Sequence, residues 1–319
     1  MIQLAMVAVP PSQERIKAIS QVGATEVIYY TMGNESDKFE GISEFVAQAK
    51  AHDLRVTVVE SGPAIDKIVM GLPGWQEQTD QWICAIKMLS GHGVEVICYN
   101  FMPQISDDAM VIRTSFDSLT RGGAKTSAYR AADVSPAHYP HDLTPISRDE
   151  VRENLARFLN TVTPVAEECG IKLAMHPDDP PKSPMGGLHR IMSSIEDYEW
   201  LLDVCKSPAN GITFCIGCFE EMECDLPVEI EKFKDRIYFV HFRNIKGNAD
   251  DFVETFPDDG DIDLAGVMGA LKKAGYKGSI RPDHAPEISG EKVEMDGYGF
   301  QGHLFTLGYM RGLLHAVAS

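Results

Sequence analysis

The chain has 319 residues, with 47 acidic against 29 basic side chains and a formal net charge of −18. That balance excludes a nucleic-acid binder or a ligand of anionic membranes, since both need clustered basic surface. Hydrophobic residues at 44% and charged residues at 24% describe an ordinary water-soluble globule.

The first apolar run, residues 2–9, has no basic segment before it and reads as a strand, not a signal peptide. No run reaches the length of a membrane span. The seven cysteines are odd in number and irregularly spaced, which suits a reducing compartment. A cytoplasmic location is therefore expected. Strand-like runs rich in Val, Ile and Tyr come next at 25–30, 55–60 and 94–99, then at 171–176, 212–217, 237–242 and 279–283. Each is short and bounded by Gly, Pro or charged residues, as buried parallel strands are. Helical patterns lie between them, at 41–52, 75–92, 148–169, 194–205, 227–234, 264–274 and 301–318, with stop signals at Gly91-His92-Gly93 and Gly170.

Eight strand runs alternating with helices predict a (β/α)₈ TIM barrel, one domain over 1–319. A doubly wound sheet would carry a Gly-rich phosphate turn after its first strand, and here Pro10-Pro11-Ser12 stands instead. Residues 101–145, after the fourth strand, form an unusually long connection. The turn Arg121-Gly122-Gly123 between β-prone flanks predicts a hairpin or lid over the C-terminal face of the barrel.

Four metal-ligand residue types fall at the ends of four consecutive predicted strands: His176, Cys215, His241 and Asp283. Ends of neighbouring barrel strands surround one mouth, so two imidazoles, a thiolate and a carboxylate can meet on one divalent ion there. Taken singly, each is more often a packed or hydrogen-bonded core residue; their recurrence at four successive strand ends is what raises the metal reading. The mixed donors leave the metal open among zinc, iron and manganese. Cys215 and Cys218 also spell Cys-x-x-Cys, but a structural zinc site lacks its second pair, and Cys218 and Cys224 are read as incidental. His284 and Tyr298 are candidate acid–base groups. Arg243, Asn244 and Lys246 come after the seventh strand and could grip a carboxylate, or form a solvated loop. Asn100 and Glu60 end strands four and three and could bind a polyol or cap a loop. Asp178 and Asp179 could orient His176, or merely cap the segment after them. The charge of −18 would repel an anionic substrate, unless an ion with Arg243, Lys246 and Arg281 reverses the field at the mouth.

With these residues in place, the sequence resembles the mannonate dehydratases of hexuronate catabolism. The match runs through Val58-Val59-Glu60-Ser61, Gly71-Leu72-Pro73 and Cys98-Tyr99-Asn100-Phe101-Met102-Pro103. It continues in His176-Pro177-Asp178-Asp179-Pro180-Pro181, Gly211-Ile212-Thr213-Phe214-Cys215 and His241-Phe242-Arg243-Asn244. Near the C-terminus it takes in Glu254-Thr255, Asp259-Gly260, Arg281-Pro282-Asp283-His284 and Gly297-Tyr298-Gly299. The resemblance implies a xylose-isomerase-like barrel with one divalent metal, usually manganese, on His176, Cys215, His241 and Asp283, with Fe²⁺, Zn²⁺ and Co²⁺ as alternatives. It implies catalytic roles for His284 and Tyr298 in removing water from D-mannonate, or a related aldonate, to give a 2-keto-3-deoxy acid. Substrate contacts are expected from Arg243, Asn244, Lys246, Asn100, Glu60, Arg281 and Asp178. Which of His284 and Tyr298 is the base stays open.

The first half departs from the family. Met6-Val7-Ala8-Val9-Pro10-Pro11 stands where Arg-Trp-Tyr-Gly is usual, and Tyr29-Tyr30-Thr31-Met32-Gly33-Asn34 where His-Asp-Ile-Pro is typical. His303 replaces an Arg, and Ala285-Pro286 a glycine segment. The rival activities are a sugar isomerase or epimerase, or a keto-sugar lyase, on the same barrel, and a non-catalytic metabolite binder. The expected partner is a small sugar acid or keto sugar, with no nucleic acid and no membrane, in a homo-oligomer.

Overall fold

The computed structural model describes residues 1–30, 39–103, 113–134 and 145–317. Its centre is a closed barrel of eight parallel strands: β1 (Gln3–Val7), β2 (Glu26–Tyr30), β3 (Val58–Glu60), β4 (Val96–Tyr99), β7 (Lys172–Met175), β8 (Asn210–Cys215), β9 (Ile237–Phe242) and β12 (Ser279–Pro282). They pair in chain order, and β1 closes on β12 through Gln3 with Ser279 and Leu4 with Ile280. All eight predicted strands are present.

Apolar residues on both faces explain the uninterrupted runs. One face fills the lumen with Ala5, Val7, Ile28, Val58, Val96, Cys98, Ala174 and Phe239, and Tyr298 sits in the same cluster. The other face packs under the helices. These include α1 (Gln13–Gln21), α2 (Ile42–Lys50), α3 (Asp66–Met70), α4 (Trp75–Ser90), α5 (Arg148–Cys169), α6 (Ile195–Val204), α8 (Leu226–Phe233), α9 (Leu264–Lys273) and α10 (Phe300–Ala316). The longest, α5, starts in a reciprocal cap between Ser147 and Glu150 and stops at Gly170, which takes a left-handed φ of 70°. A short α7 (Ile216–Glu221), with no signal in the sequence, begins directly after β8.

The insertion holds the predicted hairpin, β5 (Ser115–Leu119) against β6 (Lys125–Arg130), turning through Arg121–Gly123. The rest of the predicted lid, 104–112 and 135–144, and positions 31–34 of the altered second segment lie outside the described residues. The hairpin is not alone. It joins a second one, β10 (Asn244–Asn248) with β11 (Asp251–Thr255), in a four-stranded sheet of order β10-β11-β6-β5. This sheet grows from the end of β9 and brings Arg113 and Glu254 to the barrel mouth. Among the described residues no helix is long and apolar enough to cross a membrane.

Candidate metal centre

The four predicted ligands converge. His176 Nε2 and His241 Nδ1 are 3.2 Å apart. His241 Nδ1 is 3.6 Å from Asp283 Oδ1, and Cys215 Sγ is 3.6 Å from Asp283 Oδ2. Donors each about 2.0–2.3 Å from one ion stand at such mutual separations. His176 Nδ1 lies 2.8 Å from the Pro177 carbonyl, to which it donates, so Nε2 carries the free lone pair. His241 turns Nε2 toward Glu60 Oε1 at 3.5 Å, which leaves Nδ1 for the centre. Two imidazoles, a thiol and a carboxylate facing one another in a buried wall are poorly matched partners without a cation. The donor set therefore fits one divalent ion.

Around these donors the wall is densely charged. Arg243 is fully buried: Nη1 donates to Asp179 at 2.8 Å and to Glu254 at 3.2 Å, and Nη2 to Glu221 and Cys218 at 3.0 Å each. Its path demands a glycine in α7, because a Cβ on Gly217 would come within 2.3 Å of Arg243 Nε. Arg113, from the insertion, binds Asp179 through Nη1 at 2.8 Å and also reaches Glu254. Arg281 makes a two-point pair with Glu60 and approaches Asp283 Oδ1 at 3.3 Å. Burial alone would raise the Glu60 carboxyl, but Arg281 and His241 outweigh it and hold it at about 2. Burial likewise opposes ionisation of Glu254, and Arg113 and His284 bring it to about 2. Glu221 goes the other way: burial pushes its carboxyl well above the usual range.

His284 and Tyr298 stand together beside the donors, with ring centroids 5.3 Å apart. Because β12 stops at Pro282, Asp283 and His284 leave the strand and alternation no longer separates them. His284 Nδ1 is 2.8 Å from Glu254 Oε1, so Nε2 is the nitrogen left to act. Tyr298 is 8% exposed, shares a side-chain hydrogen bond with Tyr30, and packs edge-on to His303 at 5.4 Å. Burial pushes its phenol well above the usual tyrosine range, so it stays protonated. Burial and Arg281 take His303 down to about 3, so that ring is neutral.

The expected substrate residues differ in where they lie. Arg243, Arg281 and Glu60 line the site, but the contacts above commit them to protein partners. Asn244 is buried, and its amide donates to the carbonyls of Pro257 and Ile262. Lys246 points outward and pairs with Asp259 at 3.2 Å. Asn100 is exposed at the end of β4. Asp178 accepts from Met192 N at 2.7 Å and from Ser193 Oγ at 2.8 Å, which ties down the loop after β7. Sequence reasoning misses the charge cluster that Arg113, Glu221 and Glu254 build with Asp179 and Arg243. Glu254-Thr255 within the family segments is the one signal for it.

Comparisons with known proteins give the family and the fold. The D-mannonate dehydratase (UxuA) family description matches residues 12–144 and 138–319. Mannonate dehydratase 1 of Halalkalibacterium halodurans is 34% identical over 305 residues, covering 86% of this chain and 84% of that protein. The crystal structure of mannonate dehydratase from Streptococcus suis serotype 2 superposes with a TM-score of 0.89 at 30% identity, covering 99% and 95% of the two chains. A xylose isomerase domain protein from Alicyclobacillus acidocaldarius, 10% identical with a TM-score of 0.69 over both whole chains, shares the fold.

Proposed function

The chain belongs to the D-mannonate dehydratase family, and we propose that it is a metal-dependent hydro-lyase acting on D-mannonate or a closely related aldonate. The product is a 2-keto-3-deoxy acid. The observation that carries this reading is the convergence of His176, Cys215, His241 and Asp283 beside a paired His284 and Tyr298.

His176, Cys215, His241 and Asp283 would hold one divalent ion, Mn²⁺ first, and the ion would supply positive charge to the substrate carboxylate and to the charge that grows as the alpha proton leaves. This also answers the problem of net charge, because Arg243 is already paired with Asp179 and Glu254, and Arg281 with Glu60. Glu254 accepts from His284 Nδ1 and raises the basicity of the ring, so His284 in its neutral form acts as a base through Nε2. His284 then takes the proton alpha to the substrate carboxylate. Tyr298, kept protonated by burial, gives its proton to the C3 hydroxyl; the C3–O bond breaks, water departs and a C2–C3 double bond forms. The resulting enol loses its hydroxyl proton and gains one at C3 to become the 2-keto-3-deoxy acid. His284 is suited to the base role because a carboxylate backs it, and Tyr298 is assigned the acid role because it stands beside His284 and carries its proton at neutral pH. A cytoplasmic place in hexuronate catabolism is the setting this reading implies.

The test is incubation of Mn²⁺-loaded protein with a panel of aldonates, read by product mass. The expected product is lighter than substrate by one water, and chelation of the metal abolishes its formation. A product of unchanged mass would replace this reading with isomerase or epimerase chemistry. Binding without turnover of any aldonate would reduce the protein to a metabolite binder.

A further inference from the structure

Cys218 has no role in the chemistry above, yet it is not placed at random. The strand β8 ends on Cys215 and the chain turns directly into α7, so Cys218 returns beside it. The two sulfur atoms and a ring nitrogen of His176 all lie within 4.8 Å of one another. Both cysteines are fully buried, and Arg243 Nη2 donates to Cys218 Sγ. Cys215 faces the donor cluster through Asp283, and Cys218 stands behind it against Arg243. Cys98 and Cys224 are instead engaged singly, Cys98 by the Thr213 hydroxyl and Cys224 by the Phe219 carbonyl.

We propose that Cys215 and Cys218 form an oxidative modification site, a dithiol that a small hydroperoxide converts to a disulfide whenever the metal is absent. Only the protection by metal rests on the proposed function; the dithiol stands on the sulfur positions alone. Cys215 Sγ attacks one peroxide oxygen, the O–O bond breaks, and the sulfur becomes a sulfenic acid while the other oxygen leaves as water or alcohol. Cys218 Sγ then attacks that sulfur. The S–O bond breaks, the hydroxyl leaves as water with the Cys218 proton, and the S–S bond forms. Two thiols have lost two electrons, and one peroxide has gained them.

Hydroperoxide is the matching class of oxidant because both sulfurs lie inside the wall. Both sulfurs are fully buried and His176 beside them is only partly exposed, so an oxidant as small as hydrogen peroxide is the class matched to them. A bound ion occupies the lone pair of Cys215 and removes the nucleophile. The disulfide, once made, removes one of the four donors and blocks reloading until a thiol reductant restores it.

The experiment uses the full chain stripped of metal by chelation and treated with one equivalent of hydrogen peroxide. Free thiols are counted after denaturation, and peptides are mapped by mass. The expected result is loss of two of the seven thiols, with the peptide carrying both cysteines lighter by two hydrogens and restored by dithiothreitol. Preloading with Mn²⁺ should slow this loss by at least about tenfold. In Cys218→Ser the same treatment should leave Cys215 as a sulfenic acid trapped by dimedone. Retention of all seven thiols, or loss mapped to other cysteines, overturns the dithiol. Equal rates with and without Mn²⁺ overturn the protection and Cys215's place among the ligands, and are distinct from failure of aldonate turnover.

Discussion

The two ends of the barrel bury carboxylates in opposite ways. At the N-terminal end there is Glu26, whose Oε1 takes Arg55 Nη2 at 2.5 Å and whose Oε2 takes the hydroxyls of Thr57 and Ser279. The end is closed: Ser279 in turn has Tyr276 on its carbonyl at 2.7 Å. At the C-terminal mouth, Glu60, Asp179, Glu221, Glu254 and Asp283 share the wall with three guanidiniums, two candidate ligand imidazoles and two thiols. There Glu221 Oε2, Arg243 Nε and His303 Nε2 are buried without hydrogen-bond partners among the described residues. A satisfied polar cluster stabilises; a cluster with polar atoms left over is held in place by the rest of the fold for another purpose. In a barrel of this type the mouth is the end where chemistry is done.

The strongest challenge to that contrast is substitution of His284 and Tyr298, the proposed acid–base pair. His284→Asn and Tyr298→Phe should each lower kcat by roughly 10²- to 10⁴-fold, with Mn²⁺ content and melting temperature near those of the parent. If either variant keeps full turnover, the mouth owes its chemistry to other groups.

Next in size is Glu254→Gln. It leaves the buried Arg113 and Arg243 short of a charge partner and should cost about 3–5 kcal/mol in urea unfolding. Its pH signature has a definite sign. The folded carboxyl sits at about 2, against an ordinary value of 4.5, so its contribution is complete above about pH 5 and drains away as pH falls toward 2. Unfolding titrations across that window should show a steeper loss for the parent than for the variant. Parallel curves would remove Glu254 from the charge network.

At the opposite end, Glu26→Gln keeps one acceptor oxygen for Thr57 and Ser279 but loses the charge and the acceptor that faces Arg55. The expected cost is about 1–3 kcal/mol of stability, with kcat and KM unchanged. A kinetic effect there would break the division of labour between the ends.

Much of this arrangement is legible in the sequence because barrel geometry converts strand order into proximity. His176, Cys215, His241 and Asp283 are far apart in sequence, but each ends a strand, and strand ends meet. The α5 boundaries are legible through Ser147-x-x-Glu150 and Gly170. What stays hidden depends on pairings with no local signature. The hairpin at 115–130 is visible from its turn, but nothing nearby says that β6 pairs with β11, and that pairing delivers Glu254 to His284. Cys218 reads as incidental because α7 is too short to show periodicity. Arg243, Asn244 and Lys246 look like one grip because β10 has no signal of its own: the chain continues as strand after Arg243, so Arg243 and Asn244 turn inward while Lys246 faces out.

That last difference yields the smallest effect and the sharpest test of the mouth's edge. Lys246 is half exposed and its ammonium is 3.2 Å from Asp259, a solvent-screened pair. Such pairs contribute about 0–1 kcal/mol, because water competes for both charges and ordering the long side chain offsets the attraction. Lys246→Ala should therefore leave stability within that range and KM for the aldonate unchanged. Were Lys246 a carboxylate grip, as its place beside Arg243 in the sequence suggests, losing a charged contact would raise KM by about tenfold or more while sparing kcat. The comparison of KM across Lys246→Ala and Asp259→Asn separates the two: a surface pair leaves both variants like the parent. A grip raises KM in the lysine variant alone, and would move the edge of the substrate site out onto the four-stranded sheet.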